Sequence, residues 1–248
     1  MITIKSQQEI ELMRESGKLT RDTLDYIGKI IKPGMTTKQI DNLAEEYIRS
    51  FGAIPSFKGY GGFPASTCIS IDEMVVHGIP SQDVVVKEGQ IVSVDFGVTY
   101  NGWQGDAART FMIGEVSQEK QKLVKVTKEC FFKAIEDLKD GTPIGDIGYK
   151  VQSHAESNGF SVVRALVGHG IGKEMHEDPA VPNFGRKGTG IRLKKGMALA
   201  IEPMINAGDF RVEFLKDGWG VVTKDKKPSA HYENTVVITE NGVEILTL

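Results

Sequence analysis

The stretch Val92–Phe111, VSVDFGVTYNGWQGDAARTF, decides how this chain folds. It reads as two strands joined at Asn101-Gly102. Asn-Gly between β-rich runs is the strongest short hairpin signal, because a type I′ turn needs φ > 0 at both central residues. A two-residue loop fixes the register, so Tyr100 faces Trp103 and Asp106 falls opposite Gly97. Gly97 shares a strand face with Asp95, because successive side chains alternate. Asp95 and Asp106 are therefore diagonal neighbours, about 7–8 Å apart at the backbone. Two carboxylates aimed into one spot repel unless a cation lies between them or one keeps a proton. The hairpin alone leaves two readings open. One is a solvated face carrying turn-associated aspartates; the other is a metal-bridging pair or an acid/base dyad.

Upstream, Ser6-Gln7-Gln8-Glu9 is a capping-box pattern. Ile10, Met13, Leu24 and Ile27 stripe a helix to about Ile31, and Pro33-Gly34 stops it. A second helix runs over Thr37–Phe51 with Ile40, Leu43, Ala44, Tyr47 and Ile48 inward, and Gly52 ends it. A Gly-rich aromatic loop, PSFKGYGGFPAS, leads to a strand over Thr67–Ile71 and to His77-Gly78-Ile79-Pro80. Downstream, the pattern predicts helices over Ser117–Leu138 and Pro143–Gly159, then strands over Ser161–Val167, Met197–Glu202 and Tyr232–Ile238.

The second half repeats the first at a fixed offset of 107 residues: Gly34 maps to Gly141, Gly52 to Gly159, and Gly89 to Gly196. Asp95 then maps onto Glu202. After an insertion, Glu233 is the expected match for Asp106, since both open an acid-x-x-x-β run. Internal repeats imply a pseudo-symmetric fold, and sites form where the halves meet. The expected boundary lies near residue 116, giving halves 1–116 and 117–248 of a single domain.

Composition narrows the function classes. The chain has 248 residues, 25% charged and 40% hydrophobic, with a net charge of −3. That is an ordinary water-soluble profile without a broad basic surface for DNA. Cys68 and Cys130 have no CxxC spacing, and the N-terminus does not read as a targeting peptide, so a reduced cytoplasmic setting is expected. No apolar run approaches the ~18 residues of a membrane span. No GxxxxGK[ST], HExxH or GxSxG motif is present, and GHGIG lacks dinucleotide-fingerprint spacing.

Two pairs of facing carboxylates cannot all be ionised in one pocket without cations. Oxygen ligands suit divalent metals, and two ions about 3.5–4 Å apart form a known hydrolytic arrangement. His169, in Gly168-His169-Gly170-Ile171-Gly172, is the candidate nitrogen ligand; a plain loop histidine is the alternative. His77 and His176, each flanked by loop residues, are surface groups or contacts to a substrate carbonyl. His154 reads as a solvated helix residue, and His231 as an outer partner of Glu233 or an uninvolved neighbour.

These residues resemble type I methionine aminopeptidases, of the creatinase or pita-bread fold. The likeness runs through KPGMTTKQID, Cys68-Ile69-Ser70 with Val76–Pro80, VDFG with NGWQGDAART, GHGIG with MHEDP, AIEPM and HYENTVVIT. It implies an α/β fold with a curved antiparallel-rich sheet and flanking helix pairs. It implies two divalent ions, of Co, Mn, Fe or Zn, held by Asp95, Asp106, His169, Glu202 and Glu233. Asp106 and Glu233 would bridge, Asp95 would complete one shell, and His169 and Glu202 the other. Activated water would then attack the first peptide bond. Glu202 would assist proton movement, and His77 and His176 would contact the peptide. Tyr60, Phe63, Cys68, Met175 and Trp219 fall at the methionine pocket; Phe63 and Met175 stand where relatives often carry Tyr and Phe. The implied substrates are peptides and nascent chains beginning with Met and a small second residue. A cytoplasmic setting is expected, with a monomer as the default state and the ribosome a candidate neighbour because nascent chains are substrates. Family variants with N-terminal extensions do not fit, nor does the type II insertion. Competing readings are an Xaa-Pro-specific peptidase of the same fold, a metal-free peptide-binding module, and a carboxylate-dyad enzyme.

Overall fold

The computed structural model describes residues 2–248. The first half runs α1 (Gln7–Ile30), α2 (Thr37–Arg49), β1 (Ile54–Pro55), a 3₁₀ turn (Tyr60–Gly62), β2 (Cys68–Ile71), β3 (Met74–Val76), β4 (Ile91–Tyr100) and β5 (Trp103–Met112). The second runs α3 (Gln118–Ile135), α4 (Gly145–Ser157), β6 (Ser161–Val162), β7 (Gly168–Gly170), β8 (Glu177–Val181), β9 (Ala198–Ile201), β10 (Met204–Asn206), β11 (Val212–Phe214), β12 (Val221–Thr223), β13 (Ser229–His231), β14 (Asn234–Ile238) and β15 (Val243–Ile245). Every ladder between these strands is antiparallel.

The hairpin forms in the expected register, with Tyr100 opposite Trp103 and Gly97 opposite Asp106. Asn101 and Gly102 take φ of 50° and 78°, as a type I′ turn requires. Ser6 closes α1 with a capping box to Glu9. Helix α1 buries the expected Ile10, Met13, Leu24 and Ile27, but also Ser16, Gly17, Thr20 and Thr23. The reason is how closely the hairpin backbone approaches. A Cβ on Gly105 would lie 2.8 Å from the Gly17 amide nitrogen, and Thr20 Oγ1 donates to the Gly105 carbonyl at 3.1 Å.

The repeat is visible in the backbone. The paired glycines share left-handed φ: 90° and 84° at Gly34 and Gly141, 73° and 85° at Gly52 and Gly159, 82° and 87° at Gly89 and Gly196. β1 pairs with β4 through Ile54–Thr99 and Pro55–Val98, while β6 pairs with β10 at the same offset through Ser161–Asn206 and Val162–Ile205. The closing strands correct one expectation. Gly97 faces Asp106, whereas its mate Met204 faces His231. His231 is therefore the register counterpart of Asp106, and Glu233 stands at the place of Ala108. A shift of two residues keeps the face, so Glu233 still points to the same side of the sheet.

The halves join along β5 and β14. Glu233 N donates to the Ala108 carbonyl at 3.1 Å, and Thr235 Oγ1 and the Asp106 backbone exchange bonds of 2.9 and 3.0 Å. Arg109 locks this seam from within, donating to the carbonyls of Glu233 at 2.6 Å and Thr247 at 2.9 Å. One apolar core lies between α1, α2 and the first sheet, with Leu24, Ile40, Val94 and Phe96; another lies under α3 and α4, with Leu123, Phe131, Ile147 and Leu199. Each such side chain stabilises the fold by roughly 1.5–3 kcal/mol.

Two readings change. The strand expected over Ser161–Val167 is short: Ser161 and Val162 pair with β10, and Val163 N donates to the Met204 carbonyl at 3.0 Å, after which the ladder ends. His154 is not merely solvated: its Nε2 lies 3.0 Å from Glu129 Oε2, tying α4 to α3. Cys68 and Cys130 are buried free thiols. Among the described residues no helix is long and apolar enough to cross a membrane.

Candidate metal centre and substrate pocket

The seam between the halves opens into a cavity of about 170 Å³. Asp95, Asp106, His169, Glu202 and Glu233 line it together with Phe57, Tyr60, Gly61, Phe63, Cys68, His77, His176 and Trp219. Asp95 and Asp106 come from facing strands of the hairpin, Glu202 from the break between β9 and β10, and Glu233 from the link between β13 and β14. His169 is the middle residue of β7, paired with Ala200 of β9. The GHG run is thus a strand rather than a loop. Its glycine at 170 has no room for a side chain, since a Cβ there would meet the Asp178 carbonyl at 2.1 Å.

Asp106, His169 and Glu233 each offer a ligand atom within 4.8 Å of the others. His169 Nδ1–H donates to the Gly170 carbonyl at 2.8 Å, which leaves the Nε2 lone pair for the cavity. That nitrogen sits 3.7 Å from Glu202 and 3.8 Å from Asp106. Asp95 Oδ1, Asp106 Oδ1 and Glu233 Oε1 are buried without a hydrogen-bond partner. Burial pushes the Asp95, Glu202 and Glu233 carboxyls well above the usual range, and the neighbouring Asp106 adds to each shift. Burial raises Asp106 as well. Unpartnered buried carboxylates beside a neutral imidazole are an unfavourable cluster alone and a fitting donor set for divalent metal.

His231, buried at 1% exposure, has an Nε2 without a partner, 3.7 Å from Glu202 and 3.8 Å from Glu233. Burial, with His77 and Arg109 nearby, lowers its pKa to about 3; burial and His176 lower that of His169 to about 4. His77 directly follows β3 with φ 60°, a left-handed conformation uncommon for a non-glycine residue and frequent at functional sites. Burial and His176 lower its pKa. The His176 Nδ1 shares a hydrogen bond of 2.8 Å with the Tyr60 hydroxyl, and its ring lies 4.2 Å from that of His169.

The opposite wall is apolar. Phe63 packs edge-on against Trp219 at 5.1 Å, and Cys68 is buried beside them, its thiol pKa pushed well up by burial and by Asp95. Met175 is not among the lining residues; it is buried in the same cluster behind them, against Gly97 and near Phe57. Phe57 was missing from the sequence reading, although it belongs to the aromatic loop already singled out. Helix α2 holds that loop in place: Asp41 Oδ1 accepts from Ser66 N, Thr67 N and Thr67 Oγ1 at 2.9–3.0 Å.

Residues 11–240 match the model of metallopeptidase family M24. The methionine aminopeptidase of Clostridium acetobutylicum is 58% identical over 248 residues, covering 100% of this chain and 99% of that protein. The chain belongs to the methionine aminopeptidases. The crystal structure of the Rickettsia prowazekii methionine aminopeptidase superposes with a TM-score of 0.98 at 44% identity, covering 100% of both chains. That from Thermotoga maritima gives 0.98 at 49% identity, covering 100% of this chain and 99% of that one. The expected pita-bread fold is borne out. Family membership and the carboxylate–histidine cluster agree on a site for divalent metal.

Proposed function

We propose that residues 1–248 form one catalytic unit that removes the initiator methionine from peptides and nascent chains whose second residue is small. The observation that carries this reading is the two-sided cavity, with carboxylates and His169 on one wall and Phe57, Phe63, Cys68 and Trp219 on the other. Likeness over the full chain to proteins named methionine aminopeptidase supports it. Asp95, Asp106, His169, Glu202 and Glu233 would hold two divalent ions of Fe, Mn, Co or Zn, which when bound polarise the scissile carbonyl and lower the pKa of water towards ~7.

The remaining steps fall to the chain's own side chains. The apolar wall takes the unbranched thioether, and sulfur–aromatic contacts with Phe63 and Trp219 favour it modestly. Glu202 passes the proton from attacking water towards the leaving amine. His176, with Nδ1 engaged by Tyr60, presents Nε2 to the developing oxyanion, and His77 steadies the peptide beyond it. On this reading the protein works in the cytoplasm as a monomer, on chains emerging from the ribosome.

The test uses purified protein stripped by chelator and reloaded with Co²⁺ or Mn²⁺. Release of Met from Met-Ala-Ser but not from Met-Leu-Ser is expected. Preference for Xaa-Pro substrates would favour the proline-specific reading instead. Binding of Met peptides without turnover after reloading would favour a binding module.

A further inference from the structure

The segment before α1 reaches across the molecule to the loop that carries His176. Lys5 Nζ donates to Glu177 Oε2 at 2.7 Å and to Thr3 Oγ1 at 2.5 Å. Thr3 Oγ1 itself donates to Glu177 Oε2 at 2.5 Å. The Lys5 and Glu177 side chains are only 3% and 10% exposed. Backbone bonding fixes the strap, since Lys5 N donates to the Gly196 carbonyl at 2.8 Å.

Glu177 directly follows His176, and its second oxygen accepts from Glu174 N at 3.4 Å. The loop from Gly172 to Glu177 is folded around this pair. A Cβ on Gly172 would meet Glu177 Oε1 at 2.4 Å and Lys5 Cε at 2.7 Å. Its far side is tied to the hairpin by Gln104, which donates to the carbonyls of Gly172 at 2.9 Å and Lys173 at 3.2 Å. Burial raises the Glu177 pKa, but the bonds from Lys5 and Thr3 outweigh it and leave the carboxyl below its usual range. Glu177 is therefore held in its charged form, and removing its partner leaves that charge buried and uncompensated.

We propose that Lys5, assisted by Thr3, is a positioning residue for the reaction: its clasp on Glu177 fixes the 172–177 loop and so sets where the His176 ring stands at the cavity. The proposal rests on the role given to His176 above. A misplacement of about 1 Å at a group contacting the reacting atoms costs on the order of 10²-fold in rate. A buried ion pair that served stability alone would leave turnover of the folded enzyme intact.

The experiment is steady-state kinetics of the full chain, metal-reloaded, on Met-Ala-Ser. Lys5→Met should lower kcat about 10–100-fold with KM nearly unchanged, and Lys5→Arg should recover most of the loss. In a His176→Ala background, Lys5→Met should cost no more than about twofold, because both changes act on one element. The histidine NMR spectrum should show the His176 ring signal shifted by Lys5→Met and the His154 signal unmoved. Should Lys5→Met not accumulate as folded protein, Glu177→Gln carries the same comparison. Wild-type kcat in either folded variant, or a full multiplicative loss in the His176→Ala background, overturns the proposal. If His176→Ala alone keeps full turnover, the role of His176 fails. The clasp is then judged by the ring signal, and an unmoved His176 signal in Lys5→Met overturns it.

Discussion

The first half closes its acid-bearing hairpin in two residues, at Asn101-Gly102, while the second half leaves β10 at Asn206 and returns only at Ser229 of β13. The scaffold around these strands is the same in both, down to the φ of matched glycines. What differs is what each half contributes. The tight hairpin brings only oxygen donors, Asp95 and Asp106. The longer return brings His231 and Glu233, and its excursion through β11 and β12 delivers Trp219 to the pocket. β12 also pairs with β3, which His77 directly follows. The repeated scaffold places the acids, and the longer return adds an apolar wall to the cavity.

The sharpest way to break this comparison is to remove the repeat mates. Asp95→Ala and Glu202→Ala should each lower turnover by at least on the order of 10²–10³-fold, the scale of losing a principal electrostatic group. Metal analysis after anaerobic purification should show reduced content in both; normal content and turnover in one would end the equivalence of the halves. Chelation probes all four acids at once. Their folded pKa values are raised, so the folded state binds more protons than the unfolded one. Stability of the metal-free protein should therefore fall as pH rises through about 7, the folded value of Asp106, once the histidines have lost their protons in both states. The slope is about 1.4 kcal/mol per pH unit for each group still titrating. Urea midpoints read this, and a flat profile would contradict the raised values. Trp219→Ala should raise KM for Met-Ala-Ser about tenfold, the worth of roughly 1.4 kcal/mol of lost apolar contact, with kcat less affected. An unchanged KM would detach the excursion from the pocket.

The smallest effects concern backbone. Gly34→Ala and Gly141→Ala should cost the same, about 1–2 kcal/mol each, since only φ opposes a side chain there. Gly196→Ala should cost more than Gly89→Ala. A Cβ at Gly196 meets the Lys5 carbonyl at 2.7 Å, whereas at Gly89 the nearest atom is 3.7 Å away. Equal thermal shifts for that second pair would mean that the N-terminal strap yields.

Local rules made much of this legible. Asn-Gly fixed the hairpin register, Ser6 and Glu9 marked the start of α1, and spaced glycines exposed the repeat. The counterpart of Asp106 was misjudged because strand period 2 cannot distinguish Ala108 from Asp106 as the mate of Glu233: both lie on one face. Only the β10–β13 ladder decides it, through Met204 and His231. Phe57 and Met175 traded places because lining depends on which side chain reaches past Gly97, a matter of packing. The Lys5–Glu177 pair spans 172 positions, and no local pattern announces a contact of that range. His154 looked solvated from its own helix; its partner Glu129 belongs to another.

The contact between Gly105 and Gly17 has a consequence for how such a chain can change over generations. Asp106 is one residue from a place where helix and strand touch backbone to backbone. Side chains can drift through neutral substitutions because neighbours repack around them. Two main chains in contact have no rotamers with which to adjust. A methyl group at position 105 must move the strand that carries the neighbouring carboxylate, and one at position 17 must displace the Leu246 carbonyl 2.5 Å away, so both sites are held to glycine by main chain rather than by side chains that could repack.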